Sequence, residues 1–126
     1  MLRIEIQKGA AKDAVVIANL IKKMVLEMEQ YAGHAINESP AVWSSVENQV
    51  RANTTRKDYL YLLAYCGSPT QKIVGVAAAN IEPLENIFIE KKRLHLSAVY
   101  TIHDARRQGV AWQLIQVVLA WGKQMN

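Results

Sequence analysis

Hydrophobic and polar positions along the chain change period several times, and each change marks an element. Leu2, Ile4 and Ile6 alternate with Arg3 and Glu5, so Leu2–Gln7 has the period of a strand with one buried face. Gly9 breaks that pattern. Asp13 then falls in the first turn of the next element, where a carboxylate complements the helix dipole. Ile17, Leu20, Ile21, Met24, Val25 and Met28 recur at helical spacing and predict a core-facing stripe. Tyr31–Glu38 reads as a loop. Ser39-Pro40 opens a second helix, with serine as its cap and proline in its first position. The stripe of that helix, Trp43, Val46 and Val50, fades by Asn53. Tyr59–Tyr65 and Ile73–Ile81 read as strands of a hairpin turned at Gly67-Ser68-Pro69, and Gly75 marks a bulge or a close approach. A connection from Glu82 to Lys92, carrying Ile87-Phe88, leads to a strand over Leu94–Ile102 and a final helix from about Val110.

The order strand, helix, helix, strand, strand, strand, helix predicts an α+β fold. Three consecutive strands after a helical pair favour a mixed, mainly antiparallel sheet flanked by helices over the strict alternation of a parallel sheet. At 126 residues the chain, 1–126, is a single domain, large enough to bury a real core. The longest apolar runs are too short to cross a bilayer, and the alternating first residues are not a signal peptide. Cys66 is the sole cysteine, so no internal disulfide forms, in keeping with a cytoplasmic setting. The net charge of +4 attracts anions in general. Its clusters, Lys91-Lys92-Arg93 and Arg106-Arg107, lack the interleaved aromatics of a single-strand binder, so no nucleic-acid partner is expected. Three histidines and one cysteine at no ligand spacing give no metal site.

Candidate chemistry concentrates in Arg106-Arg107-Gln108-Gly109-Val110-Ala111, between the last strand and the last helix. A helix start leaves backbone N–H groups unpaired and carries the positive end of the macrodipole, which suits phosphate. Gly109 has no Cβ and lets a ligand approach the main chain. The spacing matches neither a Walker P-loop nor Gly-x-Gly-x-x-Gly.

This turn, and the element order ending in it, resembles the GNAT superfamily of acyl-CoA N-acyltransferases. Their signature, Arg/Gln-x-x-Gly-x-Gly/Ala, follows the fourth strand and opens the third helix. Val99-Tyr100-Thr101 is similar to the preceding strand segment of that family, and Ile73-Val74-Gly75-Val76-Ala77 to its third strand. Glu85-Asn86-Ile87-Phe88 followed by Lys91-Lys92-Arg93 is similar to the connection in many small bacterial members, and Asp13 to the acidic start of the first helix. The resemblance implies a three-layer αβα fold and acetyl-CoA as cosubstrate, with no metal. The main chain of Val99, Tyr100 and Thr101 would pair with the pantetheine arm. The amides of Arg107, Gln108, Gly109, Val110, Ala111 and Trp112 would hold the pyrophosphate, with Arg106 and Arg107 adding charge.

The implied reaction is attack of an amine, on a small molecule or a peptide, at the acetyl thioester. His95 is the candidate base, because some relatives place a carboxylate eleven residues before the first motif position. Glu27, Glu29, His34 and Glu38 fall in a region that borders the acceptor site in the family, and could attract a cationic amine. In the family a fifth strand, a fourth helix and usually two more strands follow the third helix, and a tyrosine on the fourth helix often protonates the thiolate. This chain stops at Asn126, so the resemblance implies a fold truncated after the third helix, with no counterpart of that tyrosine. The apolar 94–102 edge and a last helix apolar almost all round then call for a homo-oligomer or a missing C-terminal segment to cover them. The alternative reading is a non-catalytic CoA-binding module, or a remnant that works only with a partner chain.

Overall fold

Two-sided burial of the middle strands organises the chain. Leu60, Leu62 and Ala64 alternate with Tyr61 and Leu63 along one strand, and all five are buried. A strand covered on both faces reads as an unbroken apolar run, and it needs a helical layer on each side. The computed structural model describes residues 3–33, 35–67, 71–87 and 89–125. Its strands are β1 (Ile4–Lys8), β2 (Tyr59–Cys66), β3 (Lys72–Pro83) and β4 (Lys92–Thr101). They lie side by side in chain order, and every neighbouring pair is antiparallel. Helices α1 (Ala14–Ala32) and α2 (Pro40–Asn53) cover one face, and α3 (Val110–Gln124) covers the other.

The first face buries Ile17, Leu20, Val50, Leu63, Val76 and Ala78; the second buries Leu62, Val74, Ala77, Val110, Leu114 and Val118. Ile17, Leu63 and Leu114 are among the largest fully buried side chains, each worth about 1.5–3 kcal/mol of burial. Ser39 caps α2 as predicted: its Oγ accepts from the Val42 amide at 3.3 Å, with Pro40 in the first position. α1 runs through Tyr31 and Ala32, two residues into the predicted loop. It ends at Gly33, which takes the left-handed conformation and returns its N–H to the Glu29 carbonyl at 3.0 Å. Leu2 of the predicted first strand, Ser68 and Pro69 of the predicted turn, and Phe88 of the predicted connection lie outside the described residues.

Two register shifts bend this sheet. Between β2 and β3, Ala64 pairs with Gly75 but Tyr65 pairs with Ile73, so Val74 is an extra residue. Gly75 is also a close approach: a Cβ there would stand 3.0 Å from the Tyr100 carbonyl oxygen and 3.0 Å from Val110 Cγ1. Between β3 and β4, Ala78 pairs with Ala98 and Ala79 with Leu96, leaving Ser97 extra. His95 and Ala98 are three residues apart and would face opposite ways in a regular strand. The bulge puts both on the α1/α2 face, since their partners Asn80 and Ala78 share it.

Candidate functional site

β4 is one of the two edge strands, and among the described residues no strand pairs with its far side. In an antiparallel ladder, alternate residues bond to the neighbour and the rest point away. The Ile102 amide bonds the Val74 carbonyl at 2.9 Å. Counting back along the strand, Tyr100 turns its main-chain groups toward β3, while Val99 and Thr101 turn theirs outward. The outward Thr101 carbonyl accepts from Arg106 Nε at 2.9 Å. Its hydroxyl is buried with no partner among the described residues.

After β4 the chain makes a 3-10 turn over His103–Ala105, anchored by buried Ala105 against the α3 core. It then reaches the segment that opens α3. Arg107 and Gly109 both take positive φ, 65° and 84°. For arginine this conformation costs on the order of 1–2 kcal/mol. Such alternation turns successive amides into one concavity, the geometry of a backbone anion nest. No described group accepts from the amides of residues 107 to 112, and α3 has no side-chain cap. Val110 sends its side chain into the core, and Trp112 projects outward, 66% exposed. A Cβ on Gly109 would meet nothing within 4 Å, so its surroundings are open.

Arg106 is engaged elsewhere. Its guanidinium bonds Glu27 Oε2 at 2.6 Å and lies 5.6 Å from the centre of the Tyr100 ring. The Tyr100 hydroxyl donates to Glu27 Oε1 at 2.7 Å. Glu27 on α1 thus ties the helix to β4 and to the start of the nest. These hydrogen bonds, from Tyr100 first and Arg106 second, hold the Glu27 carboxyl below the usual carboxylate range. Burial and the Glu27 charge push the Tyr100 hydroxyl up. The brace borders a groove of about 380 Å³ between α1, the β4 edge and Ala111, walled also by Met24 and Met28.

His95 lies further down β4, in a second pocket of about 330 Å³ on the α1/α2 face. Ile21, Val46 and Val50 give that pocket apolar walls; Asn53, Tyr61, Asn80, Glu82 and Ser97 bring polar groups. Buried Asn53 donates to the Tyr61 hydroxyl at 3.3 Å, and Ser97 Oγ donates to the Ala78 carbonyl at 3.1 Å. Arg93 donates twice to Glu82 Oε2, at 3.0 and 2.9 Å. Those bonds, with a smaller contribution from His95, hold the Glu82 carboxyl low.

The structure therefore gathers Val99 to Thr101 and residues 106 to 112 at one mouth and sets His95 in a neighbouring pocket. Glu38 is exposed and makes no part of either, and His34 lies outside the described residues. Sequence reasoning missed the Glu27 brace and the polar pocket around Glu82. A signal for the pocket was present: along one face of β3 the order Val76, Ala78, Asn80, Glu82 passes from apolar to polar at constant phase.

The fold thus sets an amide nest, unpaired among the described residues, beside an open strand edge. The model of the acetyltransferase (GNAT) family matches residues 22–126. The chain belongs to that family, and so to the acyl-CoA N-acyltransferases. Solved structures share the fold. A predicted acetyltransferase with acetyl-CoA from Clostridium acetobutylicum superposes with a TM-score of 0.80 at 14% identity, over 98% of this chain and 76% of its own. Aminoglycoside 6′-N-acetyltransferase AAC(6′)-Ih from Acinetobacter baumannii gives 0.69 at 20% identity, over 98% and 74%. Aminoglycoside N-acetyltransferase AAC(6′)-Iy in complex with CoA gives 0.73 at 17% identity, over 100% and 73%. No curated protein matches the sequence significantly.

Proposed function

We propose that this chain is an N-acetyltransferase that moves an acetyl group from acetyl-CoA to an amine. One observation carries the reading: the amides of residues 107 to 112 have no partner among the described residues, and they open beside the outward main-chain groups of Val99 and Thr101. Unsatisfied donors at a helix start suit a pyrophosphate. An open strand edge suits an amide-containing arm, which can add to it as a strand would. With Arg106 tied to Glu27 and Thr101, the main chain supplies most of the phosphate contact, and Arg107, exposed beside it, adds charge.

When bound, acetyl-CoA supplies an acetyl group activated as a thioester. The protein's part is to align, to move protons and to stabilise charge. The Val99 amide, directed to the open edge, is placed to stabilise negative charge developing on the acyl oxygen. An alkyl ammonium has an ordinary pKa near 10.4 and must lose its proton before it attacks. His95, in the pocket on the α1/α2 face, accepts that proton directly or through a water. The new C–N bond forms as the C–S bond breaks, and the thiolate takes a proton.

Calorimetry with acetyl-CoA tests the binding step. The wild-type chain is expected to bind, and Gly109→Val to lose at least about tenfold in affinity, because a β-branched side chain is strained at φ 84° and would disturb the turn that sets the amides. Unchanged affinity in that variant counts against the assignment. Thiol release with a panel of amines tests the chemistry: binding without release on any amine would mark a CoA-binding module instead of an enzyme.

A further inference from the structure

At its C-terminal end α3 leaves a cleft against the sheet, on the face opposite His95. Ile81 of β3 and Leu94 of β4 are cross-strand partners at its base, and Leu119 and Met125 add apolar walls. Gly122 brings the helix close at this point: a Cβ there would lie 2.8 Å from Leu94 Cδ2. The cleft holds about 250 Å³, the room of about eight waters at ~30 Å³ each. Lys123 is 13 positions along α3 from Val110, or ~20 Å at 1.5 Å per residue, so the cleft is remote from the nest.

Its rim is basic. Lys92 and Lys123 line it, and no lining residue carries a carboxylate. The Lys92 ammonium donates to the Met125 carbonyl at 2.6 Å. That bond answers the partial negative charge at the helix end, leaves the ammonium charge uncancelled and keeps two N–H donors in hand. Arg93 also borders the cleft but adds no net charge there, because its guanidinium is spent on Glu82, which lines the pocket on the other face. Water against the apolar walls finds no hydrogen-bonding partner, so a ligand with an apolar body displaces it favourably. A cation is repelled at the rim, and a compact polar anion leaves the walls wet.

We infer that this cleft is a binding site for a small monocarboxylate with an aliphatic or aromatic body. The carboxylate lies at the rim by Lys92 and Lys123, and the body lies against Ile81, Leu94 and Leu119. The site stands or falls independently of acetyl transfer.

The test titrates the protein with hexanoate, with hexan-1-ol, which keeps the body without the charge, and with acetate, which keeps the charge without the body. The readout is the amide resonances of Leu94 and Gly122. Hexanoate is expected to give saturable shifts with a Kd at or below about 1 mM at low salt, weakening as ionic strength rises. Hexan-1-ol and acetate should bind at least about tenfold more weakly. Lys123→Gln should weaken hexanoate about fivefold without changing hexan-1-ol, and Lys123→Arg should restore it. Leu119→Gln should weaken both. Lys91→Gln, outside the lining, should leave hexanoate as in the wild type. Absence of a saturable shift with hexanoate overturns the inference, as does hexan-1-ol binding equally well. A loss in Lys91→Gln as large as in Lys123→Gln also overturns it, because overall charge and not the cleft would then be attracting the ligand.

Discussion

Glu27 takes one donor on each carboxylate oxygen, and those donors come from β4 and from the segment that opens α3. Glu27→Gln keeps the shape and removes the charge. The expected result is a several-fold rise in KM for acetyl-CoA with a smaller change in kcat, because the brace aims the nest and touches no reacting atom. Since the folded-state pKa of Glu27 is depressed, its stabilisation is present above the ordinary carboxylate range and is lost as pH falls through the lowered value. The melting temperature of the wild type should therefore exceed that of Glu27→Gln at neutral pH, and the two curves should converge in acid. None of this was legible in the chain, because Glu27 is separated from Tyr100 by 73 positions and from Arg106 by 79. Gly109 was legible, since a glycine before an apolar helical stripe in a basic turn has few other uses. At φ 84° a non-glycine residue is strained, so Gly109→Ala should lower stability by about 1–2 kcal/mol in urea unfolding.

Elements were easier to read than their phase. Periodicity placed the strands and helices of the described chain, with boundaries a few residues off, because burial on one or both faces leaves a direct mark on residue type. The Ser97 bulge leaves no such mark. Serine is ordinary in a strand, and only the pairing of Ala78 with Ala98 and Ala79 with Leu96 reveals it. Gly75 did announce itself, and the structure gives it two reasons: the register shift beside it and the close carbonyl of Tyr100. Gly75→Ala forces β4 or Val110 to shift, an overpacking expected to cost about 1–3 kcal/mol in urea unfolding. A variant as stable as the wild type would mean that β3, β4 and α3 are less tightly fitted than their distances imply.

At the scale of the whole molecule, the groove beside the nest is walled by α1, β4 and α3 together, so cofactor binding should report on global stability. With acetyl-CoA at about 100 times its Kd, linkage adds about 2.7 kcal/mol, which for a domain of this size raises the melting temperature by roughly 10 °C. A shift of that order is expected in the wild type and much less in Gly109→Val. No helix among the described residues is long and apolar enough to cross a membrane. α3 does leave Trp112, Val117 and Leu119 substantially exposed, and Leu96 lies exposed on the open strand. Of the two coverings the apolar pattern calls for, a second copy would give twice the 14.2 kDa mass of the chain in light scattering at micromolar concentration, and a further C-terminal segment would not. The surplus residue at Ser97 has a last implication, for how such a protein can change over time. Losing that codon would keep almost every amino acid in its order, yet swing the first half of β4 over and carry the imidazole to the opposite side of the sheet. Divergence here should tolerate many exchanges of letter and almost no change of count.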